Sequence, residues 1–350
     1  MAEPINVGVI GLGKMGMVHA AILNTLENAR LVAACEPNAT LRSGFASFAP
    51  EIRFFETHKQ LLDASDLSAV YITTPTEYHV EAALDSVTAG CAIFVEKPLS
   101  LDVASADRLL AALPPSTTTM VGFMMRYVDS FARAKQLLDE GAIGSPISVE
   151  GTVYTSQVFT KGKGWRASKK KSGGGTIILQ GIHALDLIGW YFGLPSDLAA
   201  RTISPYSGEV EDFAHVTFGW ESGLIGWLDC SWSVDNRRLM EVRIQVTGDT
   251  GTLVVDDDGV RLYNRANGRA DEAWTSFSRT DLSSGVAVDI GGPQYTREDQ
   301  AFVEAVRDGV QLASDARNAR NIQALVEGIY ASAADGGRPV SFDWQDVNGR

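Results

Sequence analysis

Cysteine is scarce in this chain, positive charge is outweighed, and long apolar runs are missing. The three cysteines, Cys35, Cys91 and Cys230, stand far apart among 350 residues. An odd number at such spacing provides neither a disulfide framework nor a metal-ligand pattern. Buried thiols in a reducing, cytoplasmic compartment are expected, and no metal is. Lysine and arginine number 30 against 43 aspartates and glutamates, a formal net charge of −13. That balance argues against nucleic acid or an anionic membrane as a partner. No stretch is long and apolar enough to span a bilayer. The N-terminus has no basic segment followed by an apolar core, so no signal peptide is expected. No internal repeat is visible. What is present is a globular composition in a chain long enough for two cores.

The most informative stretch is Ile5-Asn6-Val7-Gly8-Val9-Ile10-Gly11-Leu12-Gly13-Lys14-Met15-Gly16. It begins as an apolar run of the kind that forms a buried parallel strand. It then breaks into G-x-G-x-x-G, and helix-compatible residues follow from Met17 to about Leu26. Strand, glycine turn and helix together make a dinucleotide fingerprint. Gly11 permits the tight turn, Gly13 lets a pyrophosphate approach the backbone, and Gly16 lets the helix pack close to the sheet. The helix dipole then faces the phosphates. A second strand, Leu31 to Cys35, ends in Glu36, about 20 residues past the last glycine. There a carboxylate binds the adenosine ribose hydroxyls and repels a 2′-phosphate, so NAD is expected rather than NADP.

Strands and helices then alternate. Ala69 to Ile72 reads as a strand ending in Thr73-Thr74-Pro75-Thr76, followed by a helix from about Tyr78 to Ala89. Ala92 to Val95 is the next strand and ends in Glu96-Lys97-Pro98; a helix over Asp102 to Ala112 and a strand over Thr119 to Phe123 follow. This repetition predicts a Rossmann α/β domain over residues 1–125 with a parallel sheet. The glycine loop, Glu36, Thr73 to Pro75, Glu96 to Pro98 and the Arg126 region all fall at the carboxyl ends of its strands, where such folds bind ligands.

Residues 126–350 read as a second α/β domain with a large open, mostly antiparallel sheet. Pro146 to Gln157 alternates as a strand does, with Tyr154 near its end. Lys161, Lys163, Lys169, Lys170 and Lys171 make a basic loop, more simply solvated than anion-binding. Gly173-Gly174-Gly175 leads into an apolar helix from Thr176 to about Phe192. Strands are expected over 213–220, 224–234, 240–246 and 251–255, and helices over about 297–309 and 315–334. Trp220, Trp227 and Trp232 crowd one hairpin. They either pack against helices or form a sheet face buried between subunits, and the second reading leads to an expected homodimer or homotetramer through this sheet.

Lys97 ends a sheet strand, and Pro98 biases it toward extended geometry. A lysine is costly to bury, so one at a ligand-binding edge is exposed, paired with Glu96, or working in proton transfer. His183 and Asp186 are spaced to share a helix face, although a lone histidine among Leu179, Ile182, Leu185 and Leu187 is more often a core residue.

With these motifs together the sequence resembles the Gfo/Idh/MocA oxidoreductases over nearly its whole length. The resemblance rests on the glycine loop, Thr74-Pro75-Thr76 with His79, Glu96-Lys97-Pro98, Gly122-Phe123 with Arg126-Tyr127, Trp165-Arg166, and Gly173-Gly174-Gly175 followed by His183 and Asp186. It implies an NAD-dependent dehydrogenase acting on a secondary alcohol of a sugar, sugar derivative or cyclitol. It also implies that Lys97 and His183 flank the reacting carbon as catalytic residues. The cofactor candidates are Gly11, Gly13, Lys14, Met15, Gly16, Glu36, Thr74, Pro75, His79, Glu96, Lys97, Arg126, Trp165 and Arg166. The substrate candidates are Lys97, Arg126, Tyr127, Tyr154, Gln157, Gln180 and His183. Many members carry an aspartate or asparagine four residues before the histidine, where this chain has Leu179. In α-helical geometry Leu179 shares the face of His183 and desolvates the imidazole, favouring its neutral form, while Gln180 points about 100° away. Two other outcomes fit the same residues: transient oxidation at C3 that loosens a glycosidic bond, and a non-catalytic NAD-bound sugar sensor. Retention of both Lys97 and His183 favours an enzyme, since a sensor needs neither.

Overall fold

The computed structural model describes residues 3–161, 164–237, 239–265 and 274–344. The chain divides into two units, Met1–Tyr127 with Gly285–Gln323, and Val128–Ser284 with Ala324–Arg350. The first unit opens with β1 (Ile5–Ile10), the glycine loop and α1 (Lys14–Leu23), then β2 (Ala29–Cys35), α2 (Ala39–Phe48), β3 (Arg53–Phe55) and α3 (His58–Ala64). β4 (Ala69–Ile72), α4 (His79–Thr88), β5 (Ala92–Val95), α5 (Val103–Ala112) and β6 (Thr119–Val121) complete the alternation. The strands form one parallel sheet in the order β3-β2-β1-β4-β5-β6. Every residue of β4 and β5 is buried, as expected for strands covered on both faces. The strand order reverses at β1, so the glycine loop leaves the sheet at its topological switch point.

In the second unit the chain runs through α6 (Asp129–Asp139), β7 (Pro146–Tyr154), α7 (Lys169–Ser172) and α8 (Ile182–Phe192). The strands β8 (Asp197–Ile203), β9 (Phe213–Gly219), β10 (Ile225–Ser231), β11 (Glu241–Gly248), β12 (Gly251–Asp256), β13 (Gly259–Asn264) and β14 (Trp274–Ser278) follow, then α9 (Arg279–Leu282). Beyond these come α10 (Pro293–Asp308), which belongs to the first unit, α11 (Ala316–Ala334), which passes from the first unit into the second at 323/324, and β15 (Val340–Ser341). The described strands make one sheet, β14-β13-β12-β11-β7-β10-β9-β8-β15. Its neighbours are antiparallel except β7 and β10, which are parallel. Val149, Val153, Leu228, Val242, Ile244 and Val246 fill its inner face. α8 lies close against that face: a Cβ on Gly151 would stand 3.4 Å from Ile188. Ser148, Glu150, Thr152 and Tyr154 alternate onto the outer face, as the two-residue period of a strand requires.

Three sequence expectations are corrected. The boundary at 125/126 moves to 127/128, and residues 285–323 belong with the first unit. Phe302 and Val303 of α10 join Val7, Val9, Tyr71 and Phe94 in one core; the Phe302 ring stands edge-on to Tyr71 at 5.3 Å and to Phe94 at 5.7 Å. The hairpin tryptophans do not act as one group. Trp220 and Trp232 are buried, their indole N–H groups donating to Gly193 O (3.0 Å) and Asp212 Oδ1 (2.7 Å), while Trp227 is half-buried on the outer face and stacks on His215. Thirdly, the helix expected over Thr176 to Phe192 is α-helical only from Ile182, after a π-wound turn over Ile177–Gly181.

Candidate active site

The glycine loop behaves as its sequence dictates. Gly11 has φ +94, in the left-handed region, which favours glycine. A Cβ on Gly16 would run into the Gly11 carbonyl oxygen and stand 2.7 Å from Thr73 Oγ1. A Cβ on Gly13 would meet nothing within 4 Å, so that side of the loop is open. α1 starts there with no side-chain cap and no acid in its first turn. By contrast, Asn38, Thr57 and Asp102 cap α2, α3 and α5. Uncapped N–H groups at the positive end of a helix, beside a residue without a side chain, form an anion site. Lys14, exposed, and Met15, half-buried, make up its first turn.

Glu36 ends β2 where the fingerprint requires it. Its carboxylate accepts the N–H of Leu12 (3.1 Å) and of Asn38 (2.9 Å), so the acid is tethered to the glycine loop itself. Arg42 donates to the carbonyls of Glu36 (2.6 Å) and Pro37 (3.1 Å) and stiffens the same turn. Pro75 is exposed at the end of β4, and the shielded hydroxyl of Thr74 has no hydrogen-bond partner among the described residues. A bound ligand would satisfy such an atom. This edge therefore fits a dinucleotide.

His79 and Glu96, both among the cofactor candidates, are buried. His79 is 1 % exposed, with its ring nitrogens each 2.8 Å from the carbonyl oxygens of Thr74 and Pro98. Burial pushes its pKa down. The imidazole ties the Thr-Pro-Thr loop to the Glu-Lys-Pro loop. Glu96 accepts the Lys97 N–H on Oε2 (3.0 Å), and its Oε1 lies 3.3 Å from His19 Nε2. Lys97 is half-buried at the carboxyl end of β5, joined to Pro98 by a cis peptide. Arg126, buried, and Tyr127 sit on a 3₁₀ turn after β6, and Arg297 donates to the Tyr127 carbonyl at 3.2 Å.

In the second unit the three glycines before the π turn admit two close neighbours. Gly173 ends α7 at φ +83. A Cβ on Gly174 would collide with the Tyr330 hydroxyl, and one on Gly175 with the Glu211 carbonyl. The Glu211 carboxylate accepts the N–H of Gly175 (2.8 Å) and Ile177 (2.9 Å) and the Tyr330 hydroxyl (3.0 Å). Burial outweighs these bonds and raises the Glu211 pKa. The turn so held leads directly into α8, where His183 (2 % exposed) and Asp186 (1 % exposed) are buried. Because the turn is π-wound, the α-helical spacing that aligned Leu179 with His183 and turned Gln180 away does not hold through it. Gln180 is buried; its Nε2 donates to Gln157 Oε1 at 3.1 Å, and its amide lies 3.3 Å from Thr155 Oγ1. The structure thus joins Gln157, just after β7, to Gln180 on the turn ahead of His183.

A family model described as an oxidoreductase family with an NAD-binding Rossmann fold matches residues 5–123, and the GFO/IDH/MocA C-terminal domain matches residues 131–254. The chain belongs to the GFO/IDH/MocA oxidoreductases. It is 26% identical to an inositol 2-dehydrogenase of Salmonella typhimurium, over 71% of this chain and 72% of that one. It is 24% identical to a D-glucoside 3-dehydrogenase of Escherichia coli, over 96% of this chain and 97% of that one. Among solved structures, a levoglucosan dehydrogenase complexed with NADH and levoglucosan superposes with a TM-score of 0.87 at 21% identity, covering 97% of this chain and all of that one.

Within this oxidoreductase Tyr154 separates from the other substrate candidates. Strand alternation puts it on the outer sheet face with Arg201, His215 and Asp229, whereas Thr155, one residue on, faces inward to Gln180. Burial raises its phenol pKa, with Asp229 adding to the effect. Trp165, half-buried, carries the exposed Arg166 guanidinium 5.2 Å over its ring. Of the basic loop, Lys169 stands 5.7 Å over the Tyr330 ring, and Lys163 lies outside the described residues. Sequence reasoning missed Glu211, His19 and Asp299. The triple glycine was a signal that something packs closely there, but Glu211 lies 34 residues from Ile177. Asp299, the partner of His19, lies 280 residues away from it.

Proposed function

We propose that this oxidoreductase is an NAD-dependent dehydrogenase that oxidises a secondary alcohol of a sugar, sugar derivative or cyclitol. The observation that carries the reading is that Lys97 ends a strand at a dinucleotide edge with a tethered Glu36, and that both this part of the chain and the part that carries His183 match the family. NAD, when bound, supplies the hydride acceptor. Glu36 binds ribose hydroxyls, and the uncapped turn of α1 with Gly13 takes the pyrophosphate. Lys97 or His183 accepts the proton of the reacting hydroxyl. The linked amides of Gln157 and Gln180 present both donors and acceptors, as binding of neighbouring hydroxyls requires; Arg126 and Tyr127 are further candidates for substrate binding. The names of the relatives, dehydrogenases of inositol and D-glucoside, support a polyol or sugar ring as the substrate class.

The same reading includes a homodimer or homotetramer through the outer face of the second unit's sheet. It is supported by Ile203 and Ile225, both exposed there, with Trp227 beside Ile225, because apolar side chains gathered on one face mark an interaction surface. A reducing, cytoplasmic compartment is supported by the three thiols, all free and buried. No described helix is long and apolar enough to cross a membrane. The test is a panel of cyclitols, sugars and glycosides with NAD or NADP, following the absorbance of the reduced cofactor and identifying products. Oxidation of one ring alcohol with NAD is the expected result. No turnover across the panel, or release of aglycone without net reduction of NAD, would overturn the reading.

A further inference from the structure

Behind the Glu-Lys-Pro loop lies a set of buried ionisable groups. His19 on α1 is completely buried, its Nδ1 2.7 Å from Asp299 Oδ1 and its Nε2 3.3 Å from Glu96 Oε1. We propose that Asp299, His19 and Glu96 form a buried chain that holds one extra proton, keeping His19 an imidazolium, and that this chain positions Lys97 for the reaction proposed above, on which its functional half rests.

The geometry requires the proton. A neutral imidazole has one N–H and one lone pair, so between two ionised carboxylates one of its nitrogens would face an oxygen lone pair to lone pair. An imidazolium donates on both sides. Burial alone would lower the pKa of His19; the two carboxylates outweigh it, Asp299 first, and drive it well above its ordinary value. Burial also raises the pKa of Asp299, and the charge and hydrogen bond of His19 oppose that rise. The other titratable side chains against the ring are Tyr71 of β4 (5.4 Å between centroids) and Tyr295 of α10 (6.3 Å). Burial raises both phenols, so both stay neutral. Phe94 of β5, at 4.9 Å, closes the remaining side. The arrangement is not a metal site: the ring nitrogens point to opposite carboxylates, and no described group of three His, Cys, Asp or Glu is placed to hold an ion.

The chain ends at the working loop. Glu96 is held by His19 on Oε1 and by the Lys97 N–H on Oε2. Gly122 leaves room for it, since a Cβ there would stand 3.2 Å from Oε2. The main chain of Lys97 is therefore anchored from the interior of its own unit. His79 anchors the next residue through the Pro98 carbonyl. His19 and Asp299 are positioning residues: loosening them shifts Lys97 without removing any group that binds NAD, and a displacement of about 1 Å at a reacting group costs about 100-fold in rate.

The test uses the full chain labelled with ¹⁵N-histidine. Of its five histidines, one is expected to keep both ring nitrogens protonated from about pH 6 to 9, with low-field N–H protons, well above the ordinary imidazole pKa of about 6.5. That signal should vanish in His19→Gln. In Asp299→Asn it should begin to titrate within the same range. His19→Gln should lower kcat about 10–100-fold while changing the dissociation constant for NAD less than about threefold. A neutral-tautomer spectrum at neutral pH, or a parent signal titrating at the ordinary value, would overturn the proton assignment whether or not any sugar is oxidised. A folded His19→Gln protein with parental kcat would overturn the positioning role. If His19→Gln does not fold, the parent and Asp299→Asn spectra decide the proton assignment. The kcat and NAD affinity of Asp299→Asn then decide positioning.

Discussion

Replacing Glu211 with alanine would strip three hydrogen bonds from the turn ahead of His183: those from the N–H groups of Gly175 and Ile177 and from the Tyr330 hydroxyl. The Thr176 N–H keeps its bond to the Glu211 carbonyl at 3.0 Å in any variant. Each buried donor left unpaired costs about 1–3 kcal/mol. Removing a buried carboxylate recovers part of its desolvation, so the net loss is about 3–5 kcal/mol, a large share of a domain's typical stability of about 5–15 kcal/mol. Glu211→Gln keeps one acceptor oxygen and turns an NH₂ toward one backbone N–H, so it should cost only about 1–3 kcal/mol. Urea unfolding followed by tryptophan fluorescence measures both. Because the turn runs into α8, kcat should fall in Glu211→Ala while NAD affinity, set in the other unit, holds. The pH dependence adds a second readout. Burial raises the Glu211 pKa above its ordinary 4.5, so the folded state binds that proton more tightly than the unfolded chain does. The resulting stability is fully present below 4.5 and lost as pH rises through the raised value. Glu211→Gln should lose this component. An alanine variant within about 1 kcal/mol of the parent, or a glutamine variant with the parent's pH slope, would refute the reasoning.

Glu36→Ala should weaken NAD binding about 10–100-fold, the worth of charge-assisted hydrogen bonds at about 1.5–3 kcal/mol, and narrow the gap to NADP; a parent protein that prefers NADP in a binding titration would contradict it. Lys97→Ala and His183→Ala should each lower kcat about 10²–10⁴-fold, the usual worth of a general base, with NAD still bound; full activity in either variant removes that residue from the chemistry. Gly16→Ala should lose NAD binding and about 1–3 kcal/mol of stability by overpacking, because its Cβ collides with the Gly11 carbonyl; calorimetry and a cofactor titration check both. Ile225→Lys, on the outer sheet face, should shift the protein toward monomer in light scattering, whereas a parent that is monomeric at micromolar concentration would refute the interface.

The sequence by itself determined the dinucleotide edge and the strands around it, because those features are local. The limits Ala69–Ile72 and Ala92–Val95 match the expected strands residue for residue, since short apolar runs bounded by polar punctuation have few other conformations. The roles of Gly11 and Gly16 follow from backbone sterics within a few residues, and Glu36 arrives at the loop because a strand and a helix of ordinary length carry it there. Tertiary structure alone decided what depends on summed packing between distant segments. α10 returns to cover the Rossmann sheet because Phe302 fits against Tyr71 and Phe94, which moved residues 285–323 out of the second domain. Tyr154 and Thr155 are adjacent in sequence, yet the burial of one sheet face sends them to opposite sides. Gln180 meets Gln157 because Glu211 meets the turn at Gly175 and Ile177 and that turn is π-wound, a geometry that side-chain periodicity does not reveal. The proton on His19 is the furthest from the sequence. It depends on two carboxylates, one 77 and the other 280 residues away, enclosing one ring where water cannot reach.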